Sequence, residues 1–370
     1  MIQILHMTSC SDAGGISSVI LNYYSHMDRN RFHFDIALLT ETVGQNAKAL
    51  QNLGAELYYI PPKHLGIKAH TDALVALLKE HHYDVIHIHG GDTAYVSLRV
   101  AKQCGVPIRI AHSHCADENK TINQRLRLAA SAVLNPLYAT NLLACGRLAG
   151  ERCYGKFNTK RKMFTILPNA IDTQRFAFNS TVRETKRREL GISDTFVVGM
   201  VGRLSPEKNY LFALKIMEAL YKTAPEAKLL ILGDGEEREK MELFIAENKM
   251  NKYVLLLGRH ADVEQYYQVF DLFLLPSFNE GFPVAVVEAM ASGLPVLLSD
   301  AITDELSFGE AVRYLPLGDE KCWAETILQM RALSAPELRT KRQGEVKANG
   351  FEIRDTAKLL EQIYMGSYGK

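Results

Sequence analysis

The sequence lacks the features that mark membrane-spanning, disulfide-bonded and cysteine-based metal proteins. No segment approaches the ~20 consecutive apolar residues that a membrane-spanning helix needs. The six cysteines are spread along the chain without a CxxC pair or a metal-ligand spacing, which is typical of free thiols in a reducing compartment. The first residues contain neither a basic leader nor an apolar core of signal-peptide length, so we expect a cytoplasmic protein.

Charge of one sign is not in excess overall, but it is unevenly distributed. The formal net charge is +1, yet residues 1–168 carry 18 Lys and Arg against 12 Asp and Glu, while the remainder carries 25 against 30. Residues 120–162 alone hold nine basic residues and one acidic residue. This segregation favours an anionic partner for the first half, although an ordinary solvated surface would explain the same charges.

Apolar runs of strand length alternate with amphipathic helical patterns throughout the chain. Such near-continuous apolar strands, separated by helices, predict parallel sheets covered by helices. At 370 residues the chain is long enough for two cores, so we predict an α/β fold of two doubly wound, Rossmann-like domains. The predicted strands are IQILHM, FDIALLT, ELYYI, DVIHIHG, PIRIAHS, NLLACG and FTILPN in the first half, and FVVGMVG, KLLILGDG, VLLLGR, LFLLPS, PVLLSD and VRYLP in the second.

The strand pattern is interrupted by a polar segment, residues 179–194. We place the first domain at 1–168 and the second at 169–350. Residues 351–370 contain an amphipathic helix that could pack back on the first domain or lie against the second. Ligands of such folds bind beyond the carboxyl ends of the strands, so two facing domains of this kind would enclose a cleft between their loops.

Two loops that follow predicted strands have features of anion binding. Gly14 and Gly15 allow a close backbone approach and precede a helix whose N–H groups could hold a phosphate, although a plain tight turn fits equally well. Arg203 and Lys208, in MVGRLSPEKN, place two cations on one short loop, where arginine offers a bidentate fork and lysine a point charge. The alternative is a solvated loop in which Glu207 pairs with one of the cations.

Two further motifs have weaker functional interpretations. The GDG at 233–235 begins like a dinucleotide fingerprint but has Arg238 where that motif requires glycine, which disfavours an NAD-dependent dehydrogenase. His112 and His114, like His87 and His89, alternate along a predicted strand and so share one side of it. A hydrogen-bonding histidine at a ligand site, a packed structural histidine and a metal ligand all remain possible, the last without an acidic or cysteine partner nearby.

The segment FNEGFPVAVVEAM, residues 278–290, carries two glutamates with seven residues between them. Glu280 lies in a loop and Glu288 in an otherwise apolar helical run that begins near Pro283. Side chains of a helix lean toward its N-terminus, so both carboxylates could reach one ligand across the helix start. Carboxylates accept hydrogen bonds from paired sugar hydroxyls, whereas the helix N-terminus favours phosphate.

Together these motifs resemble the retaining glycosyltransferases of family 4, which have the GT-B fold. The resemblance covers nearly the whole chain, and its most specific part is the E-x7-E of Glu280 and Glu288. GGI, PNAID, VGRLSPEKN and GDGEER support it in order and spacing. AHSH and GGISSVILNYY are similar to bacterial exopolysaccharide and capsule assembly enzymes.

The resemblance implies a role for each of the residues that match it. The cations of the VGRLSPEKN loop would hold the donor diphosphate and stabilise the leaving nucleotide. Glu280 would bind the donor sugar and Glu288 the ribose. Backbone groups of the EGFPV loop, the N-terminal glycines and the residues after the third strand of the second domain would complete the donor site. These donor-site residues are Gly14, Gly15, Arg203, Lys208, Arg259, His260, Glu280, Gly281, Phe282, Val284 and Glu288. His112 would lie near the reacting sugar with His114 as the alternative, and Asn169 is a further sugar or acceptor contact.

The resemblance also implies a mechanism and a set of partners. The acceptor hydroxyl would attack on the face from which the diphosphate leaves, and a phosphate oxygen would take its proton. We expect no cofactor and no catalytic metal, a UDP-sugar donor, and a lipid-linked or oligosaccharide acceptor. The basic region 120–162 would attract the anionic inner face of the cytoplasmic membrane, or it is simply a solvated helix face. We expect no nucleic-acid partner and a monomer or weak oligomer.

Three other functions are weighed against glycosyl transfer. A glycosidase would use the paired carboxylates as acid and nucleophile, but one of them lies on a helix in a nucleotide-binding plan. A UDP-sugar 2-epimerase shares the two-domain plan and the donor. A non-catalytic glycan-binding or partner-binding subunit would have lost its site, whereas the cations and both glutamates are present here.

Overall fold

The computed structural model describes residues 1–9, 15–114 and 121–367. The chain divides into two compact units. The first comprises Met1–Ala170 together with Ile353–Lys370, and the second comprises Ile171–Glu352. The sequence-based limits lie at 168/169 and 350/351, and the C-terminal helical segment is part of the first unit.

Strands and helices alternate along the described residues. The strands are β1 (Ile2–Thr8), β2 (Phe32–Leu38), β3 (Leu57–Tyr59), β4 (Val85–His89), β5 (Ile108–Ser113), β6 (Asn141–Ala144), β7 (Phe164–Ile166), β8 (Val197–Val201), β9 (Lys228–Leu232), β10 (Val254–Gly258), β11 (Leu272–Leu275), β12 (Val296–Ser299) and β13 (Val312–Leu315). The helices are α1 (Gly15–His26), α2 (Gln45–Asn52), α3 (Ile67–Glu80), α4 (Ala94–Gln103), α5 (Ile122–Tyr138), α6 (Arg147–Asn158), α7 (Thr173–Phe176), α8 (Ser180–Glu189), α9 (Tyr210–Tyr221), α10 (Arg238–Glu247), α11 (Val263–Val269), α12 (Val284–Ala291), α13 (Glu320–Met330), α14 (Pro336–Ala348) and α15 (Ile353–Tyr364).

The first unit contains a seven-stranded parallel sheet in the order β3-β2-β1-β4-β5-β6-β7. Strands β1, β2 and β4 of this sheet bury almost every side chain, as expected for a parallel sheet. Helix α15 packs against α1, and its apolar face joins the same core through Ile353, Leu360, Ile363 and Tyr364. The amphipathic C-terminal helix therefore completes the core of the first unit.

The second unit contains a six-stranded parallel sheet in the order β10-β9-β8-β11-β12-β13. Its core includes the apolar face of α9 and the single tryptophan, Trp323 on α13. The Trp323 indole donates to the carbonyl of Pro316 at 2.9 Å, which satisfies the polar atom of this buried ring.

In both sheets the strand that comes first in the chain lies in the interior, and later strands are added on each side of it. In the first unit the chain leaves β1 for one edge and returns to place β4 on its other side; in the second unit β8 and β11 have the same relationship. The point where the strand order reverses is where ligands bind in folds of this type, because the two adjacent loops diverge there.

The predicted fold class is confirmed, and each predicted strand is present. The polar segment 179–194 contains a helix, α8, which Asn179 caps by accepting from the N–H of Val182 at 3.1 Å. Arg183 and Arg187 of this helix form ion pairs with Asp271, so α8 is tied into the second unit.

Helix α5 leaves a stripe of apolar side chains uncovered. Positions 122, 126, 129, 133 and 137 recur every three or four residues and so lie along one face. Four of them are large, Ile122, Leu126, Val133 and Leu137, and these are between 58 and 77 % exposed. Among the described residues, no helix has the length and apolar character needed to cross a membrane.

Candidate active site

An ion pair between Lys208 and Glu280 lies at the strand-order reversal of the second unit. Lys208 Nζ is 2.6 Å from Glu280 Oε1, and the two side chains are only 15 % and 12 % exposed. Ser277 donates to the same carboxylate oxygen at 2.8 Å. Lys208 follows β8 and Glu280 follows β11, so the neighbouring strands bring together residues that are 72 positions apart in sequence.

The two loops that carry this pair are held by local backbone features. Pro206 begins a single 3-10 turn, Pro206–Lys208, and Asn209 then takes a left-handed conformation (φ 56°) that redirects the chain into α9. The Phe278 N–H donates to the carbonyl of Glu207 at 2.8 Å and fastens the β11–α12 loop to this turn. Lys208 and Glu280 are thus fixed by their backbones as well as by their charges.

Arg203 pairs with a different carboxylate and is far more exposed. Its Nη2 lies 2.9 Å from Glu236 Oε2, and the two side chains are 68 % and 50 % exposed. Glu207 instead accepts from Ser205 Oγ at 2.6 Å, so the alternative in which Glu207 pairs with a loop cation is not the arrangement observed. Of the two predicted cations, Lys208 is the fixed one, and Arg203 extends from the surface.

The GDG motif serves a close approach between the β8 and β9 loops. Gly233 has φ 139°, and a Cβ there would lie 1.8 Å from the carbonyl oxygen of Gly202. The Leu204 N–H donates to Asp234 O at 3.1 Å across the same contact. A side chain at position 233 would prevent this backbone contact, which supports the loop that carries Arg203.

Glu288 lies on α12 and is hydrogen-bonded to Tyr267 of α11. The Tyr267 hydroxyl donates to Glu288 Oε2 at 2.7 Å. Burial raises the pKa of Glu288 to about 7, against the smaller lowering effects of the Tyr267 hydrogen bond and of the Arg175 charge. The carboxylate predicted to bind a ribose is therefore poised to change its charge near neutral pH.

Tyr210 is a site residue that the sequence analysis missed. Its hydroxyl is buried and has no hydrogen-bond partner among the described residues. Burial raises the pKa of Tyr210, and the nearby carboxylate of Glu280 raises it further. The hydroxyl also lies 3.4 Å from where a Cβ on Gly202 would stand, and Lys208 Cε lies 3.5 Å from the same point. A polar residue on the buried face of α9, directly after the cationic loop, was the available sequence signal.

The other predicted donor-site residues of the second unit lie in the loops after β10 and β11 and at the start of α12. Gly281 and Val284 are partly exposed beside Glu280, and Phe282 is buried with its ring stacked 5.4 Å from that of Phe351. Arg259 and His260 are exposed after β10, and the Tyr266 hydroxyl lies 3.0 Å from His260 Nδ1.

Buried Arg339 fixes the two helices that carry Tyr267 and Glu288. Its guanidinium donates at 2.9–3.2 Å to backbone carbonyls of Tyr267, Gln268, Phe270 and Ser292, which end α11 and follow α12. Carbonyls at helix C-termini lack intrahelical partners, and here a single arginine supplies them.

Of the predicted residues of the first unit that the structure describes, only Gly15 lies at the strand-order reversal, after β1, whereas His112 and His114 lie at the end of β5 and Asn169 follows β7. Gly15 begins α1 and is exposed, whereas Gly14 lies outside the described residues. His112 and His114 are buried with ring centroids 4.0 Å apart, which confirms that they share one side of the strand. Asn169 is buried, and its side chain raises the pKa of His114 against the larger lowering effect of burial.

Two groups of histidines in the first unit have nitrogen atoms close enough together to share a metal ion. These groups are His6 with His87 and His89, and His89 with His112 and His114. The sequence analysis considered a metal only for His112 and His114, and it did not predict that five histidines lie close together.

The chain matches two families of known proteins. Residues 13–175 match Glycosyltransferase Family 4, and residues 182–305 match Glycosyl transferases group 1. EpsF of Bacillus subtilis, which is named as a glycosyltransferase, is 31 % identical over 98 % of this chain and 96 % of its own. The UDP-Gal:alpha-D-GlcNAc-diphosphoundecaprenol alpha-1,3-galactosyltransferase of Escherichia coli is 26 % identical over 98 % of this chain and 97 % of its own.

The fold is also similar to that of a solved protein. HepE of Anabaena, crystallised with UDP and with UDP-glucose, superposes with TM-scores of 0.82 and 0.81 at 18 % identity, over 99 % of this chain and 100 % of that one. These matches cover both halves of the chain, and the second of the two α/β units carries the Lys208–Glu280 and Glu288–Tyr267 pairs. The chain therefore belongs to glycosyltransferase family 4 and is a glycosyltransferase of the GT-B type.

Proposed function

We propose that the protein is a retaining glycosyltransferase that moves a hexose or N-acetylhexosamine from a UDP-sugar to a lipid-linked or oligosaccharide acceptor in exopolysaccharide or capsule synthesis. The observation that carries the proposal is the Lys208–Glu280 pair at the strand-order reversal of the second unit. The names of the relatives support the finer statement: one is a galactosyltransferase acting from UDP-Gal on a diphosphoundecaprenol acceptor, and HepE was crystallised with UDP-glucose.

The charged side chains of the candidate site in the second unit suit a nucleoside diphosphate and its sugar. Lys208 and Arg203 would bind the diphosphate, and Lys208 would stabilise the charge that develops as UDP leaves. Glu280, held by Ser277, would accept from sugar hydroxyls. The backbone N–H groups of Gly281, Phe282 and Val284 would complete that subsite.

Nucleoside recognition falls to the other residues of the unit. Glu288 would accept from the ribose hydroxyls, and its bond to Tyr267 holds one carboxylate oxygen in place. Arg259 and His260 would border the base. In the first unit, Gly14 and Gly15 would approach the phosphates, and His112, His114 and Asn169 would contact the transferred sugar or the acceptor.

The chemistry would proceed with retention of the anomeric configuration and without a metal. The acceptor hydroxyl would attack the face from which UDP departs, and a phosphate oxygen would accept its proton. Two cations on one loop supply positive charge where a divalent ion would otherwise be required, which supports metal independence.

A peripheral membrane position would bring the enzyme to a lipid-linked acceptor. The apolar stripe of α5 is exposed, and Arg125 and Arg127 on the same helix are exposed as well. Lys156, Lys160 and Arg161 add exposed positive charge at and just after the end of α6. An apolar face flanked by cations fits an anionic lipid surface, which is the partner we propose for this part of the first unit.

A substitution at Lys208 tests the donor site. In a thermal-shift panel of nucleotide sugars, a UDP-sugar that serves as donor should raise the melting temperature of the wild type, since ligands that bind the folded state stabilise it. Lys208→Ala should abolish that shift and reduce transfer at least about 100-fold, or about 2.7 kcal/mol of barrier. Lys215→Ala is the matched control, because Lys215 is an exposed lysine of the same unit.

The products and the metal requirement separate this function from its rivals. We expect the anomeric configuration of the donor to be retained, as read from the proton NMR couplings of the product, and full activity in excess EDTA. Formation of an epimeric UDP-sugar without acceptor would favour the 2-epimerase instead. Unchanged transfer by Lys208→Ala would contradict the assignment of the site.

A further inference from the structure

Five histidines and one tyrosine of the first unit form a single hydrogen-bonded chain in its buried interior. The histidines lie on or next to the central strands of the sheet, and the tyrosine is on the helix that closes the core. They are His6 on β1, His87 and His89 on β4, His112 on β5, His114 just after β5, and Tyr364 on α15. None is more than 9 % exposed.

One arm of the chain runs from His112 to Tyr364. His112 Nδ1 faces His87 Nε2 at 3.1 Å, and His87 Nδ1 faces the Tyr364 hydroxyl at 2.7 Å. At its outer end, His112 Nε2 is buried and has no hydrogen bond within the described residues.

The other arm runs from Tyr364 to His114. The Tyr364 hydroxyl lies 3.3 Å from His6 Nε2, His6 Nδ1 faces His89 Nε2 at 2.9 Å, and His89 Nδ1 faces His114 Nε2 at 2.9 Å. His114 Nδ1 has no hydrogen bond by geometry within the described residues. Burial lowers the pKa of His114 to about 4, and the side chain of Asn169 acts in the opposite direction.

We expect each ring in this chain to be neutral at pH 7 and to carry one proton. Burial lowers the pKa of His6 to about 3 and lowers those of His87, His89 and His112 well below the ordinary value, with repulsion between the rings adding to the effect for these three. A neutral imidazole donates through one nitrogen and accepts through the other, and the tyrosine hydroxyl has one proton to donate.

This proton count restricts the tautomers to two patterns. If His112 donates to His87 through Nδ1–H, then His87 Nε2 is the acceptor and the proton of His87 must be on Nδ1. His87 then donates to Tyr364, so the Tyr364 hydroxyl donates to His6, and the rings of the other arm follow in the same direction. Followed in this direction every ring is the Nδ1–H tautomer, and in the reverse direction every ring is the Nε2–H tautomer. If instead both arms donated to Tyr364, its buried O–H would lack an acceptor among the described residues.

We propose that Tyr364 is a positioning residue that joins the two arms into one relay, so that all five histidines share a single tautomer. The outer nitrogens at its two ends, His112 Nε2 and His114 Nδ1, then have opposite character: one is a donor and the other an acceptor. This pair complements a hydroxyl, which donates and accepts, better than it complements an anion, which only accepts. The tautomer pattern goes beyond the proposed function, and only the use of the pair for a sugar or acceptor hydroxyl rests on it.

The distances favour hydrogen bonds over a shared metal ion. Nitrogens that ligate one tetrahedral zinc at 2.0–2.1 Å stand about 3.3 Å apart with the ion between them. The His6–His89 and His89–His114 contacts are 2.9 Å, the length of a direct hydrogen bond. Both nitrogens of His89 are used in this way, although His89 belongs to both histidine groups that could hold a metal.

The relay can be tested by nitrogen NMR of the full chain labelled with ¹⁵N-histidine. Correlations from ring-carbon protons report which nitrogen carries hydrogen, and single His→Gln variants assign the 12 histidines. We expect all five relay rings to be neutral and to show the same tautomer. His70 is an internal reference: its Nδ1 lies 2.8 Å from the carbonyl of Pro61, which can only accept, so it must be the Nδ1–H form.

Tyr364→Phe should break the relay while keeping the ring that fills the core. Because residue 364 then has no hydroxyl, the two ring nitrogens that face it, His87 Nδ1 and His6 Nε2, should carry no proton. His87 and His112 should then be Nε2–H, while His6, His89 and His114 become Nδ1–H. Tyr23→Phe is the matched control, because that buried hydroxyl donates to the carbonyl of Pro168 and not to a histidine, and it should leave the five tautomers as in the wild type.

Several outcomes would overturn the relay. They are opposite tautomers among the five rings of the wild type, an imidazolium among them at pH 7, identical tautomers in both arms of Tyr364→Phe, or a stoichiometric metal whose removal changes the ring signals. If Tyr364→Phe does not fold, the wild-type spectrum still decides, and His114→Gln offers a shorter relay in which the remaining four rings should agree. Failure of glycosyl transfer would leave this tautomer pattern unaffected, so the two proposals can fail separately.

Discussion

At the scale of single residues, Glu288 shows how the fold changes the chemistry of a carboxyl group. Its pKa, about 7, lies above the 4.5 of an ordinary glutamate because burial desolvates the carboxyl group, with Tyr267 as its hydrogen-bond donor. The native state therefore holds the proton more tightly than the unfolded state. The contribution of this group to stability is complete below about pH 4.5 and is lost as the pH rises to about 7.

Glu288 should make UDP binding depend on pH. If the ionised carboxylate accepts from the ribose, affinity measured by calorimetry should be about tenfold weaker at pH 6 than at pH 8, since one pH unit below the pKa leaves about a tenth of the group charged. Glu288→Gln should bind UDP more weakly at pH 8 and lose this part of the pH dependence. The same slope in wild type and variant would assign the effect to the nucleotide's own phosphates.

Tyr210 should affect the ligand more than the stability of the fold. Because its buried hydroxyl has no partner among the described residues, Tyr210→Phe should keep the free energy of unfolding or raise it by about 1 kcal/mol. If the hydroxyl binds the donor beside Lys208 and Glu280, UDP-sugar affinity should fall about fivefold, or ~1 kcal/mol.

Tyr23→Phe is the control for this experiment. It removes a hydroxyl that donates to a backbone carbonyl at 2.9 Å, so it should cost about 1 kcal/mol of stability without changing UDP affinity. A destabilised Tyr210→Phe with unchanged affinity would make Tyr210 a purely structural residue.

At the scale of elements, helix α5 has an apolar stripe of helical spacing that is exposed and not buried. Apolar residues at helical spacing normally face a core, whereas here Leu126 and Val133 are 64 % and 70 % exposed. Replacing exposed side chains should leave the fold intact, so these positions can be changed without a cavity.

The stripe should control association with anionic vesicles. Leu126→Glu combined with Val133→Glu should greatly reduce co-sedimentation with phosphatidylglycerol vesicles, because two apolar contacts are lost and two negative charges are added. Leu243→Glu is the matched control, since Leu243 is 62 % exposed on α10 of the second unit. Wild-type binding that is indifferent to salt and to lipid charge would exclude this surface.

Sequence patterns predicted the elements well because apolar periodicity reflects burial directly. They did not predict which side chains would meet across elements. The pairing of His6 with His87 and of His89 with His112 depends on strand register, and register is fixed by the packed sheet. The Lys208–Glu280 pair likewise required the order of β8 and β11, and the helical character of 179–194 was masked by its low apolar content.

At the scale of the whole molecule, the first unit is built from two separated parts of the chain. Helix α15 contributes Ile353, Leu360, Ile363 and Tyr364 to the core that also contains β1 and α1. The second unit, Ile171–Glu352, is continuous.

This arrangement predicts different behaviour for the two units when they are expressed alone. Residues 171–352 should unfold cooperatively, whereas residues 1–170 should bind a hydrophobic dye and lack a sharp thermal transition, because they expose the apolar surface that α15 covers. Joining residues 353–367 to that fragment through a flexible Gly/Ser linker should restore the transition in calorimetry. A sharp transition in the fragment without α15 would show that the helix is dispensable.

The place of α15 in the chain also sets an order of events during synthesis. A ribosome delivers residues from the N-terminus, so the first unit waits without its closing helix while the whole of the second unit is made. During that interval the five histidines lack Tyr364, and the apolar faces of β1 and α1 are open to water or to a chaperone. Slower translation of residues 171–352 should therefore lengthen the time during which the first unit is vulnerable to aggregation, although those residues belong to a different core.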